Sequence, residues 1–203
     1  MSDRPTEIAN DPVRIGVSIR PFKLGRFSGD QAGVWLDADT TLICMVDGLG
    51  HGEDAELAAR KAVHFVEKNR GMDLAEMMQG CDEELRGSRG AAMAVTRIDK
   101  STGTLEYTSV GNTRCAIIGH KIQYLGGIYG IVGEGINPTI IEQRQLGRRD
   151  LVLFWTDGLP ETLRLVATRV RRTTNAQAFA DELIDEFAIE DDDAGVVVVR
   201  WDA

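Results

Sequence analysis

Four aspartates lie far apart in the chain, each beside a strand-like apolar run: Asp30 in SGD, Asp47 in MVDGLGHG, Asp157 in FWTDGLPE and Asp192 in EDDDAGVVVVRW. A short acidic side chain followed by Gly, directly after an apolar stretch such as Thr41 to Val46, lets the chain turn sharply and aims carboxylate and backbone carbonyl at one point. Hard cations take oxygen ligands of this kind. If three or four such ends converge, their carboxylates repel, and one or more must take up a proton unless Mg²⁺ or Mn²⁺ neutralises them. The chemistry indicated is that of a hydrolase with a carboxylate-bound metal centre. Taken singly, a DG dipeptide is an ordinary turn signal. Two DGL segments, each after a run of buried character (LICMVDGL and LVLFWTDGL), predict that Asp47 and Asp157 lie side by side at the ends of neighbouring strands.

The elements that must position these residues follow from periodicity. Alternation predicts strands over Val13–Arg20, Gly33–Asp37, Thr41–Val46, Ala91–Ile98, Thr104–Val110, Arg114–Ile118, Ile122–Leu125, Thr139–Gln145, Leu151–Thr156 and Gly195–Trp201. Phe22 to Asp30 reads as a connection. Apolar residues at Ala55, Ala58, Ala59, Ala62, Val63 and Val66 predict an amphipathic helix over Glu53–Lys68, with acidic residues at its start. Further helices are expected over Asp73–Leu85 and Asn175–Ala188. Helices in pairs around mostly antiparallel strands suit an α+β sandwich with helices outside.

The 203 residues, 43% hydrophobic and 27% charged, suffice for one sizeable core and not for two full domains. The expected organisation is a polar lead over residues 1–12 and one domain over 13–203. A formal net charge of −9, with no Lys/Arg-rich block to balance it, argues against nucleic acid as the main partner. Cys44, Cys81 and Cys115 lack CxxC spacing and read as reduced core residues. No apolar stretch approaches the roughly 18 residues of a membrane span, and MSDRPTEIANDP lacks a signal-peptide core. The expected location is the cytoplasm, with no membrane partner.

In order, GD, VDGLGHG, a central RGAAM, VGNTR, TDGL and a terminal DD before a Val-rich strand resemble the metal-dependent type-2C (PPM) protein phosphatases, over nearly the whole chain. The chain is most similar to the small single-domain bacterial branch that acts in the stressosome. That resemblance implies a four-layer α/β/β/α sandwich and two ions, Mn²⁺ or Mg²⁺, at one end of it. By motif, Asp47 would bridge both ions, Asp30 and the Gly48 carbonyl would hold one, and Asp157 with Asp192 the other. Two cations about 4 Å apart can share a hydroxide, orient it in line with phosphorus and neutralise the phosphoryl oxygens, so no protein nucleophile is required. The implied substrates are phosphoserine or phosphothreonine on stressosome scaffold proteins of the STAS-domain type. Two departures stand out. The family's Ser or Thr after DDx is replaced by Gly195, which removes a hydroxyl near the ligands. Asp192 is chosen within Asp191-Asp192-Asp193 because it keeps the family distance to the Val-rich strand. The family's phosphate-capturing arginine has no clear counterpart, although Arg20 and Arg26 lie nearby.

Other residues admit two readings. His51 is either a proton shuttle or a polar residue in an exposed turn; His64 and His120 read as structural. Gly126 to Gly135 is either a mobile flap that touches substrate through Ile128, Tyr129 and Ile131 or an irregular surface loop. Arg89 and Arg114 occupy family-like positions, and Arg169 to Arg172 form a basic run that either docks an acidic partner or is simply solvated. Two rival functions remain at this point: a catalytically silent binding module of the same fold, and a hydrolase of small phosphate esters.

Overall fold

In the computed structural model, residues 11–22, 25–163 and 173–203 are described. Residues 1–10 of the expected lead and the basic run Arg169 to Arg172 lie outside them. Period-2 segments form ten strands: β1 (Val13–Arg20), β2 (Asp30–Leu36), β3 (Thr40–Gly48), β4 (Ala91–Asp99), β5 (Thr104–Val110), β6 (Arg114–Ile118), β7 (Ile122–Leu125), β8 (Glu142–Gln145), β9 (Leu151–Trp155) and β10 (Ala194–Trp201). Three described segments with helical spacing form α1 (Glu53–Lys68), α2 (Leu74–Glu84) and α3 (Ala176–Phe187).

Two five-stranded sheets result, one ordered β1-β10-β9-β6-β7 and the other β2-β3-β4-β5-β8. Every strand pair in them is antiparallel. Three apolar clusters cement four layers. Alanines and methionines of α1 and α2 pack on one face of the second sheet, with Cys44, Val46 and Met93. Ile43, Met45, Tyr107, Phe154 and Val197 fill the space between the sheets. Phe179, Leu183 and their neighbours on α3 cover the outer face of the first sheet, against Trp155 and Val196. The α+β sandwich expected from the sequence is therefore the fold, and all three cysteines are free and buried in it.

Local signals explain the helix ends. Glu53, Asp54 and Glu56 stand at the start of α1 and Lys68 at its end, complementing the helix dipole. Asp73 accepts from Ala75 N–H and Asn175 from Ala178 N–H, capping α2 and α3. The buried stripe of α1 is Ala55, Ala58, Ala59, Ala62 and Val66, small enough to bring the helix close to the sheet.

Three boundaries differ from expectation. β2 starts at Asp30 and β3 runs on to Gly48, so Asp30 and Asp47 sit inside a hydrogen-bonded ladder and not in loops after strands. β8 starts at Glu142, not Thr139. Beyond Tyr107 the free edge of β5 is taken by another segment, with Ile128 N–H donating to Ser109 O and Gly111 N–H to Ile128 O, so residues 139–141 have no edge to join. No helix among the described residues is long and apolar enough to cross a membrane.

Candidate metal centre

At one end of the sandwich, carboxylates from both sheets meet. Asp30 and Asp47 are register partners on β2 and β3, which puts their side chains on one face. Asp157 stands two residues past β9 and Asp192 two residues before β10; β9 and β10 are neighbours in the other sheet. Asp47 and Asp157 do come together, but across the seam between sheets. The expectation of neighbouring strands is corrected because β3 and β9 belong to different sheets.

The glycines of the two DG pairs allow close approach. A Cβ at Gly48 would lie 2.2 Å from Ala55 O, on the first turn of α1, and one at Gly158 would lie 1.8 Å from Asp193 O. The sharp turn after Asp47 is made further on, at Gly50 and Gly52, with φ of 81° and 87°. Gly48 N–H donates to Gly29 O at 3.0 Å, which ties β3 to the residue before Asp30.

Electrostatics follow from this crowding. Asp30 is buried, and its carboxyl is pushed well up, first by burial and then by Asp47, while the Thr156 hydroxyl pulls it back and Asp193 and Asp157 add to the rise. Asp47 rises to about 8, first by burial, then by the charge of Asp157 and a hydrogen bond to it. Asp192, half-buried, rises through burial and Asp157, opposed by the Asp193 N–H and by His51. Like charges held this close cannot all ionise without a cation. The all-oxygen donor set of Asp30, Asp47, the Gly48 carbonyl, Asp157 and Asp192 fits Mg²⁺ or Mn²⁺ better than softer metals. Among the described residues these side chains do not form a closed coordination set by themselves. Two of the carboxylates are held by hydrogen bonds: Asp157 accepts from Asn112 Nδ2 at 2.6 Å and Asp30 from Thr156 Oγ1 at 2.5 Å.

Three residues with parts in this site were missed as such in the sequence. Asp193 is buried, and its two oxygens accept from Phe22 N–H at 2.7 Å and Gly29 N–H at 2.8 Å, fastening the connection that leads into Asp30. Both it and Asp192 precede β10 in a run of three aspartates, and no local pattern tells them apart. Thr156 supplies a hydroxyl where Gly195 lacks one. It accepts from Gly195 N–H at 2.9 Å while donating to Asp30, and a Cβ at Gly195 would lie 2.4 Å from Met45 Cε. Asn112 stood in the sequence only as the middle of VGNTR; a polar residue between two strands gives no sign of what it will face.

The remaining candidates make contacts of their own. His51 is exposed, its ring 5.4 Å from Phe22. Arg20 donates to the carbonyls of Ala188 and Ile189, and Arg26 lies over the Phe27 ring at 5.5 Å. Arg89 pairs with Asp54 at 3.3 Å, and Arg114 reaches Leu159 O at 3.5 Å. His64 pairs with Glu67 at 3.5 Å on the exposed face of α1.

Comparison with known proteins gives a consistent result. The family described as Stage II sporulation protein E (SpoIIE) matches residues 37–202. The phosphoserine phosphatase RsbX of Bacillus subtilis (strain 168) is 32% identical over 77 residues, or 37% of this chain and 39% of that protein, so the match spans about two fifths of the relative. A solved structure from work on the bacterial stressosome, a modular system adapted to control secondary messenger signalling, is 27% identical, with a TM-score of 0.88 over 93% of this chain and 99% of that one. RsbX in complex with magnesium has a TM-score of 0.83 at 18% identity, covering 93% of this chain and 94% of that chain, a likeness of fold.

Proposed function

This chain belongs to the SpoIIE family, and on that premise we propose that it is a metal-dependent serine/threonine protein phosphatase. The observation that carries the reading is the meeting of Asp30 and Asp47 from one sheet with Asp157 and Asp192 from the other, every raised carboxyl among them being raised by its neighbours as well as by burial. Asp47 would bridge two divalent ions, Asp30 and the Gly48 carbonyl would complete one side, and Asp157 with Asp192 the other. Mn²⁺ or Mg²⁺ held there would supply an activated water and neutralise the phosphoryl oxygens. Thr156 holds Asp30 through its hydroxyl, Asn112 orients Asp157, and Asp193 fixes the backbone that presents Asp30. With these contacts the ligand oxygens are positioned before substrate arrives.

The finer reading takes phosphoserine or phosphothreonine on STAS-domain proteins of a bacterial stressosome as substrates, in the cytoplasm, with residues 13–203 as the catalytic domain. The stressosome association of a 27% identical structure and the phosphoserine activity of RsbX support it. The test is Mn²⁺-dependent phosphate release from a phosphorylated STAS-domain stressosome protein, beside p-nitrophenyl phosphate and an EDTA control. Turnover of the phosphoprotein that EDTA abolishes is expected. Turnover of the small ester alone would reject the partner, and turnover of neither would point to a silent binding module.

A further inference from the structure

The end of the sandwich away from the carboxylates presents charge of the other sign. Two turns lie side by side there, one over residues 119–121 between β6 and β7, the other over 147–150 before β9. Ile118 and Leu151 are register partners, so Gly119 falls opposite Asp150, and a Cβ at Gly119 would run into Asp150 Oδ1. Lys121, Arg148 and Arg149 stand exposed on these turns. Other cations of this end are engaged, Lys100 with Asp11, Arg144 with Glu142 and Arg200 with Asp202. Lys121, Arg148 and Arg149 pair with no carboxylate among the described residues. Asp150, the acid between them, is half-buried and accepts from Gly147 N–H at 2.8 Å.

Arg149 adds a second observation. Its φ is 67°, the one positive value at a non-glycine position among the described residues. In that region an L side chain crowds the neighbouring carbonyl, a cost that Gly escapes and Asn lessens. The turn itself needs only the main-chain bond from Arg149 N–H to Trp201 O at 2.7 Å, which any residue but proline could make. The guanidinium makes no hydrogen bond or ion pair among the described residues. Strain kept at an exposed residue whose side chain serves no internal contact points to a use outside the chain.

We propose that this basic end is a docking surface for a short acidic stretch on a partner protein, with Lys121, Arg148 and Arg149 as its contacts. Charge complementarity identifies the occupant. The chain as a whole carries −9, which disfavours nucleic acid or an anionic membrane, because their long arrays of charge reach past three cations to the acidic remainder. A short acidic stretch meets the patch alone. Fixed charges are screened over about 10 Å at ~0.1 M salt. Asp150, just before β9, and Asp157, two residues past it, stand about 20 Å apart at the rise of a strand. A partner bound here therefore feels the cations and not the carboxylate cluster, and leaves that cluster uncovered. The inference goes beyond the phosphatase reading and does not depend on it.

The test measures binding of fluorescein-labelled poly-L-glutamate to the full chain, in EDTA so that no metal bridges the probe to the carboxylates. Wild type is compared with Arg149→Asn, with Arg148→Ser combined with Arg149→Asn, and with Lys61→Ser on the exposed face of α1 as a control. Binding is expected to weaken about tenfold in the double variant, to stay unchanged in Lys61→Ser, and to be lost at ~0.5 M NaCl. Unchanged binding in the double variant, or no binding by wild type at low salt, overturns the proposal. Tighter binding of labelled single-stranded DNA or of phosphatidylglycerol vesicles than of polyglutamate overturns the choice of a protein partner. A thermal melt separates docking from a structural role. Arg149→Asn is expected to melt at or above the wild-type temperature, since strain is relieved and no internal contact is lost. A lower melting temperature shows that the side chain serves the fold, and overturns the proposal.

Discussion

Asp47 faces Asp30 across the β2–β3 ladder and Asp157 across the seam, so its charge is opposed from two sides. Asp47→Asn conserves shape and removes that charge. Turnover is expected to fall by more than about a hundredfold, since even residues that only orient ligands cost 10–100-fold. The same change should raise the melting temperature in EDTA, because it relieves repulsion; kinetics and a thermal melt check the two halves. A pH dependence follows in the wild type. Asp47 titrates near 3.8 in the unfolded chain and near 8 in the folded one, so below pH 3.8 both states hold its proton. Between the two values only the folded state does, and stability falls as pH rises. Melting in EDTA should drop by several degrees from pH 5 to pH 8, about 1 kcal/mol being worth ~2–4 °C at this size. Excess Mn²⁺ should cancel the drop, and a rise with pH in EDTA would contradict this account. The four aspartates were legible in the sequence because each lies beside an apolar run, Asp47 and Asp157 after one and Asp30 and Asp192 before one. Thr156, Asn112 and Asp193 were not, because their value lies in contacts with residues 39 to 171 positions away, which no local pattern encodes.

Most strands and helices stand within a residue or two of their predicted bounds, since periodicity and caps are local. What failed depended on another element. β8 was shortened by the segment that took its edge of β5, and Asp30 was placed in a connection because its ladder with Asp47 joins two strands at a distance. The glycines of the two DG pairs belong to this scale. Gly158 lets the chain after β9 pass against Asp193 at the start of β10, where a Cβ would come within 1.8 Å of a backbone oxygen. Gly158→Ala must push these ends apart and displace Asp157 from Asp192. Loss of most activity with about 2–4 kcal/mol of destabilisation is expected, measured by urea unfolding and phosphate release. Gly52→Ala meets nothing within 4 Å and is strained only by its φ of 87°, so its loss should be nearer 1 kcal/mol.

Across the whole molecule the two ends of the sandwich are opposites. At the end away from the carboxylates, Lys100 beyond β4 meets Asp11 ahead of β1 at 2.5 Å and Asp37 O beyond β2 at 2.6 Å, joining both sheets. The two side chains are only 8% and 2% exposed. Lys100→Met strands a buried carboxylate and should cost about 3–5 kcal/mol, lowering the melting temperature by about 10 °C; pairing it with Asp11→Leu should restore most of the loss. Composition foretold ample apolar material, but which strands share a sheet is set by long-range pairing such as β6 with β9, invisible in the linear order. The seam itself has one further consequence. If one sheet brings Asp30, Asp47 and the Gly48 carbonyl to the ions and the other Asp157 and Asp192, as proposed, ion occupancy and apposition of the sheets would be linked by mass action, at about 2.7 kcal/mol for free ion at a hundred times its dissociation constant. Whatever prised the sheets apart would then expel the ions, and the supply of divalent metal would set the protein's lifetime as well as its rate.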